Sequence, residues 1–304
     1  MALWQANHVR DALLDAHESL EVKLEIIHTK GDLILQTPLH KMLDKGLFTK
    51  EIESALLAGT IDLAVHSLKD LPTKLPDGLA MAAIGKREDS ADVLIGKTGD
   101  TLAGLPQGAP VLTGSLRRAA QMLDVRSDLD IRPVRGNVAT RLRKLDESDA
   151  AAIILARAGL VRLGLGDRIT HRLDPETFLP ACGQGALGIE IRDGDTDVAD
   201  MLAPLDDMPT RVAVTAERTF LGTLGGGCQA PIGAFGRIEN ETLLLTGMVA
   251  SLDGRRLIKR QITSDESTPQ SAATLGRELA EAVCLEGARE ILDEIAANAP
   301  KHPC

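Results

Sequence analysis

Two α/β domains followed by a smaller α+β domain are predicted for this chain, on three observations. Helix-spaced segments alternate with short buried-looking apolar runs from the N-terminus to Leu155. One further strand-like run, 187–191, stands after the second domain's own strands and reads as a return to the first. From Thr210 the pattern changes to one helix, three strand-like runs and closing helices.

Residues 5–18 space their apolar side chains as an amphipathic helix. The stretch 21–27 alternates, charged at 21, 23 and 25 and apolar at 22, 24 and 26, as a strand does. A polar, Gly-containing loop covers 29–46. A helix over 49–57 then precedes the apolar strand 61–65, which runs into His66-Ser67-Leu68-Lys69-Asp70; helix then buried strand is the rhythm of a parallel sheet. The second cycle has strand 109–112, a helix opening near Ser115, strand 129–133, a helix over 138–145 and the buried run 151–155. The charged connector 85–90 and the return strand make two crossings between two lobes, a hinge around a cleft. In the last domain a helix capped by Thr210 runs to Leu224, strands at 231–237, 242–250 and 256–262 form an antiparallel meander, and 271–295 is helical with a break at Gly287.

Composition excludes several classes. The 304 residues are 44% hydrophobic but 2% aromatic with no Tyr, so the cores are aliphatic. No window has the roughly 18 apolar residues of a membrane span, and the first twenty residues lack a secretory layout, so a cytoplasmic protein is expected. Cys182, Cys228, Cys284 and Cys304 form no CxxC pair, and neither a disulfide nor a metal site is expected. A net charge of −10 argues against a nucleic-acid binder. Yet 111–172 hold eleven Arg and one Lys against seven Asp and Glu, a local +5 that suits either a bound anion or a solvated basic face.

Gly183-Gln-Gly-Ala-Leu-Gly188 matches GxGxxG in letters, but a strand rather than a helix follows, so the glycines are read as an inter-domain turn and a dehydrogenase is set aside. Three glycines before Cys228 suit a thiol on a tightly turned loop, although a lone cysteine also serves as a small buried hydrophobe. Asp70 ends a buried strand at the sheet edge where α/β proteins place ligands, a position equally suited to a turn cap. Arg117, Arg118, Arg135 and Arg141 stand at or near helix starts, where they oppose the macrodipole; binding of carboxylates accounts for them.

The segments HSLKD (66–70), TGSLRR (113–118), RGNVATR (135–141), LPACGQGA (179–186) and GGGCQAP (225–231) together resemble the porphobilinogen deaminase (hydroxymethylbilane synthase) family along nearly the whole chain. The resemblance implies two periplasmic-binding-protein-like α/β domains, 1–86 with 187–204 and 91–182, and a C-terminal α+β domain, 208–304, with a three-stranded antiparallel sheet. It implies stepwise condensation of four porphobilinogens with loss of ammonia, on a dipyrromethane cofactor held by the Cys228 sulfur, then hydrolysis to hydroxymethylbilane. Asp70 would stabilise the cation that develops on a pyrrole ring as ammonia leaves. Ser67, Lys69, Thr113, Ser115, Arg117, Arg118, Arg141, Gln184 and Gly185 would hold the cofactor, and Arg135, Arg141 and Arg162 the substrate and growing chain. The segment from Lys30 to Phe48 would cover the cleft, with Lys45 and Phe48 touching its contents. His66 is expected to pack at the strand end.

The resemblance also implies a monomer whose product passes to uroporphyrinogen III synthase. It departs from the family in two places. Gly114 stands where the family has Ser, and the strand and R-x-S-x-LA segment that precede Met1 in the family are missing here. The expectations for the latter are a start set downstream or a cloned fragment, or a truncated homologue with reduced or no activity. A solute-binding module of the same two-lobed architecture is the competing function.

Overall fold

A computed structural model describes residues 1–29, 49–97, 101–225 and 230–298. Lys45, Phe48, Cys228 and the segment from Lys30 to Phe48 lie outside the described residues.

Helix α1 (Ala2–Ala16) buries Val9 and Leu13. Helix α2 (Lys50–Leu57) buries Leu56 completely and leads to strand β1 (Leu63–Ser67), after which β2 (Leu79–Ile84) leaves the first lobe. The alternating stretch 21–27 is a correction to the sequence reading: it joins no ladder, and Ile26 is 65% exposed. Period-two alternation needs a neighbouring strand to become a sheet, and among the described residues the outer edge of β1 has none. Leu20 and Val22 still pack against the lobe's core.

The second lobe contains β3 (Asp92–Gly96), β4 (Pro110–Leu112), α3 (Leu116–Val125), β5 (Asp130–Arg132), α4 (Val138–Glu147), β6 (Ala152–Ala156), α5 (Arg157–Arg162) and β7 (His171–Arg172). Its sheet runs β5-β4-β6-β3-β7, with β4 parallel to β5 and β6 and β3 antiparallel to β6 and β7. Ile153 and Ile154, adjacent on β6, are buried in two separate apolar clusters, so the central strand reads as a continuous hydrophobic run.

Strand β8 (Leu187–Arg192) then returns to the first lobe as predicted and inserts between β1 and β2, antiparallel to both. The parallel rhythm expected there therefore gives antiparallel contacts. β2 leads out of the lobe and β8 leads back, so neighbours at the crossing must run in opposite directions. The crossings are bonded to each other: Gly85 N–H donates to Leu187 O and Glu88 N–H to Gly185 O, both at 3.1 Å. Gly185 has φ +92°, and a Cβ there would lie 2.3 Å from Glu88 O, so only glycine fits. Val9, Leu13, Ala83, Ile189 and Ile191 form the core on one face of this sheet with Val198 and Leu202 of α6 (Thr196–Leu202); Leu56, Ala64 and Leu79 pack together beside α2.

Helix α7 (Met208–Thr223) starts at Asp207, whose carboxylate accepts from Thr210 N–H at 2.9 Å, with Pro209 in the first turn. The predicted cap at Thr210 is thus three residues late; the acid reaches the free amide, and Thr210 Oγ1 instead accepts from Arg87 N–H at 3.1 Å. The meander is β9 (Ile232–Glu239), β10 (Thr242–Ala250) and β11 (Leu257–Ser264), in the order β11-β10-β9. Helices α8 (Pro269–Val283) and α9 (Arg289–Ala297) close the domain, separated at Cys284–Ala288 as the Gly287 break predicted. Phe220, Leu245, Leu279 and Ile291 lie in its core. Among the described residues no helix is long and apolar enough to cross a membrane.

Candidate active site

β1 ends in a single 3-10 turn, Leu68–Asp70. Leu68 is fully buried beside Ile84, Ala186 and Val214, which anchors the turn and leaves Asp70 exposed. Asp70, Lys69 and Ser67 line a cleft between the lobes with Arg118, Arg141 and Arg162, and Gln184, Gly185 and Ala186 line it from the return crossing. One carboxylate thus faces four cationic side chains. Loss of hydration lowers the Lys69 pKa, with Asp70 opposing and Arg118 adding to the fall.

Asp92, fully buried at the start of β3, organises the cationic side. Its Oδ1 accepts from Arg118 Nη2 at 2.7 Å and Gln184 Nε2 at 2.8 Å, and its Oδ2 from Arg117 Nη1 at 2.8 Å. Desolvation alone would raise its pKa, but the two guanidinium groups hold it well below the carboxylate range. Gln184 Oε1 in turn lies 3.5 Å from both Arg118 Nη2 and Lys69 Nζ. A charge-assisted chain therefore runs from the buried acid to the residue beside Asp70.

The arginines are placed unequally. Arg117 is buried against Asp92 and donates to the Leu179 carbonyl, away from the cleft lining. Arg141 donates from Nε to Gly136 O at 2.7 Å; burial brings its pKa down to about 10, with Arg118 adding and Asp70 opposing. Arg162 donates to Gly185 O at 2.7 Å and lies 5.4 Å from the Trp4 ring centre, linking the second lobe to the return crossing and to α1. Arg135 does not line the cleft, but its Nη2 is buried without a partner, an unmet donor that a carboxylate would satisfy.

Thr113 and Ser115 act locally: Thr113 Oγ1 accepts from Ser115 N–H at 3.2 Å, and Ser115 caps α3 by accepting from Arg118 N–H. His66 is buried 3.1 Å from Glu190, a packed strand-end residue as expected. Gly183 and Gly185 lie in a turn and Gly188 in β8, which follows it, so no helix stands there to bind a nucleotide. Cys228 is outside the described residues, bracketed by the end of α7 and the start of β9. Cys182 is buried and its thiol pKa is pushed up by desolvation, so it is no competing nucleophile.

Sequence reasoning missed Gln5, Asp92 and Glu217. Gln5 Nε2 donates to Ser67 Oγ at 2.6 Å inside the cleft lining. Nothing in a helix heptad marks it. Asp92 follows the charged connector, and its only signal was an acid in an otherwise apolar strand. The Glu217 carboxylate, fully buried, accepts from Gly183 N–H and Gly236 N–H at 2.7 Å as well as from Arg87.

A dipyrromethane with acidic side chains fits this cleft in charge: Lys69, Arg118, Arg141 and Arg162 line it as donors for carboxylates, and Asp70 is the one acid in the lining. The family model "Porphobilinogen deaminase, dipyromethane cofactor binding domain" matches residues 1–200, and "Porphobilinogen deaminase, C-terminal domain" matches 212–284. Curated relatives named porphobilinogen deaminase include that of Syntrophobacter fumaroxidans, 51% identical over 97% of this chain and 94% of that one. The Synechococcus relative is 52% identical over 98% of this chain and 94% of its own length, and that of Moorella thermoacetica 50% over 99% and 96%. Among solved structures, the VFT2 double mutant of Bordetella pertussis BvgS is 14% identical over 65% of this chain and 75% of that one, with a TM-score of 0.37, a likeness too slight to bear on function. A cleft that sets one exposed acid against arginines and a lysine, in a chain matched from end to end at about half identity, leads to one assignment: the chain belongs to the porphobilinogen deaminase family.

Proposed function

We propose that this chain joins four porphobilinogens head to tail, with loss of ammonia at each step, and releases hydroxymethylbilane by hydrolysis. The observation that carries the reading is the cleft in which Asp70 faces Lys69, Arg118, Arg141 and Arg162. Cys228 would hold the dipyrromethane through a thioether, and that group would supply the ring to which the first substrate is joined. Asp70, fixed on the turn that follows β1 and exposed to the cleft, stabilises positive charge on the ring that loses ammonia. Arg118, Arg141 and Arg162 take acetate and propionate groups, with Ser67, Lys69, Gln184 and Gly185 beside them.

Arg135, with its buried unpartnered Nη2, receives carboxylates outside the lining shared by Asp70. Arg117 acts behind the cleft by holding Asp92, and Thr113 and Ser115 by shaping the start of α3. Lys45 and Phe48 complete the reading as cleft contacts. The domain bounds 1–86 with 187–204, 91–182 and 208–304 belong to the same proposal, as do a cytoplasmic monomer and transfer of product to uroporphyrinogen III synthase.

The test is intact mass with peptide mapping, beside turnover of porphobilinogen. Added mass of two linked pyrroles on the Cys228 peptide, absent from Cys228→Ser, supports the reading. A Cys228→Ser protein that still carries the pair refutes the attachment site, and a wild-type protein with neither modification nor turnover refutes the activity.

A further inference from the structure

The turn that presents Asp70 is only three residues long. Its carbonyl oxygens point beyond the end of the helix, where few backbone donors remain; Leu71 N–H reaches Leu68 O at a long 3.3 Å. The missing donors come from another domain. Arg218, on α7, donates from Nη1 to Leu68 O and Leu71 O, both at 3.3 Å, and from Nη2 to Pro72 O at 2.6 Å. One guanidinium thus grips the chain on both sides of Asp70.

Arg218 has no carboxylate partner among the described residues, and burial lowers its pKa. A half-buried cation compensated only by carbonyls adds little to stability, and an apolar side chain of similar volume would serve at least as well. Its placement is explained by what it holds. The preceding residue, Glu217, fixes both inter-lobe crossings through Arg87 and Gly183. Adjacent positions on one helix therefore secure the crossings and the turn that carries Asp70, and the same helix ends at Thr223, five positions before Cys228 in the sequence.

We infer that Arg218 is a positioning residue for the reaction: it fixes the orientation of Asp70 relative to α7 without entering the cleft. The inference rests on the role given above to Asp70. Displacement of a catalytic group by about 1 Å costs on the order of 100-fold in rate. Arg218→Met, which keeps the side-chain length and removes the donors, is expected to lower kcat by about 10- to 100-fold with KM changed less than about 3-fold. Arg218→Lys, which restores a donor but not the fork, should recover part of the loss.

The deciding measurement is a double-mutant cycle with Asp70→Glu, run on protein whose fold is checked by circular dichroism and whose Cys228 modification is checked by mass. If Arg218 acts through Asp70, Arg218→Met costs less than about 3-fold in the Asp70→Glu background. Equal losses in both backgrounds, or a loss that tracks the unfolded fraction, overturn the inference. So does unchanged kcat in a folded Arg218→Met protein. If Arg218→Met does not fold, the same cycle is run with Arg218→Lys. Wild-type protein without turnover refutes the proposed function and this inference together, whereas wild-type turnover with an indifferent Arg218 refutes the inference alone.

Discussion

The Glu217 carboxylate receives the Arg87 guanidinium end-on, Oε1 at 2.7 Å from Nη1 and Oε2 at 3.1 Å from Nη2, in a site where the acid is fully buried. Arg87 belongs to the outgoing crossing and Glu217 to the C-terminal domain, so the pair ties hinge to helix. Glu217→Gln leaves a largely buried cation unpaired and should lower unfolding free energy by about 3–5 kcal/mol, read by urea titration. A loss under about 1 kcal/mol would show that solvent reaches the pair.

Asp70 is exposed and serves the cleft rather than the core. Asp70→Asn should therefore leave the melting temperature within a few degrees of wild type while lowering kcat by roughly 100- to 1000-fold, the scale of removing one preorganised group that stabilises transition-state charge. Near-normal turnover in a continuous assay would remove Asp70 from the mechanism.

Asp92 predicts a pH dependence. Its pKa is depressed in the folded protein, so in the window between that value and the unfolded value near 3.9 the unfolded chain binds more protons. Its contribution to stability is complete above about pH 5 and declines as pH falls through the window. The stability difference between wild type and Asp92→Asn should accordingly be largest near neutrality and shrink toward pH 3. A difference independent of pH would mean that Asp92 is not ionised in the native state.

A Cβ on Gly114 would lie 2.7 Å from the Val134 carbonyl oxygen. Gly114→Ser should force the 113–115 loop away from Val134 at a cost of about 1–3 kcal/mol, visible as a lowered melting temperature. Crystallography of the variant checks the displacement directly. Unchanged stability would mean that the loop moves freely enough to accept the side chain.

The two-lobed plan was legible because buried strands and amphipathic helices carry different periods, and because the run from Leu187 has the alternation of a strand outside its expected place. Sheet direction was not legible, since β8 separates β1 from β2 through contacts far apart in sequence. Motifs such as HSLKD and TGSLRR identified the side chains of the cleft, but nothing local to Arg117 told that it would turn inward to Asp92 while Arg118 reached the cleft. Asp92, Glu217 and Arg218 owe their roles to partners 19 to 150 positions away, a range at which spacing in one sequence carries no signal.

The two crossings, bonded to each other at Gly85 and Glu88, make a short two-stranded ribbon. Such a ribbon bends and twists far more readily than its strands slide past each other, because sliding breaks both bonds at once. Opening of the cleft is thereby reduced to rotation, and rotation moves an atom in proportion to its lever arm. Gln184 and Gly185 lie on the ribbon itself and scarcely travel, whereas the far end of the second lobe sweeps a wider arc. An enzyme whose product lengthens during the reaction can in this way enlarge the room for the far end while Gln184 and Gly185 keep their place in the cleft that Asp70 lines.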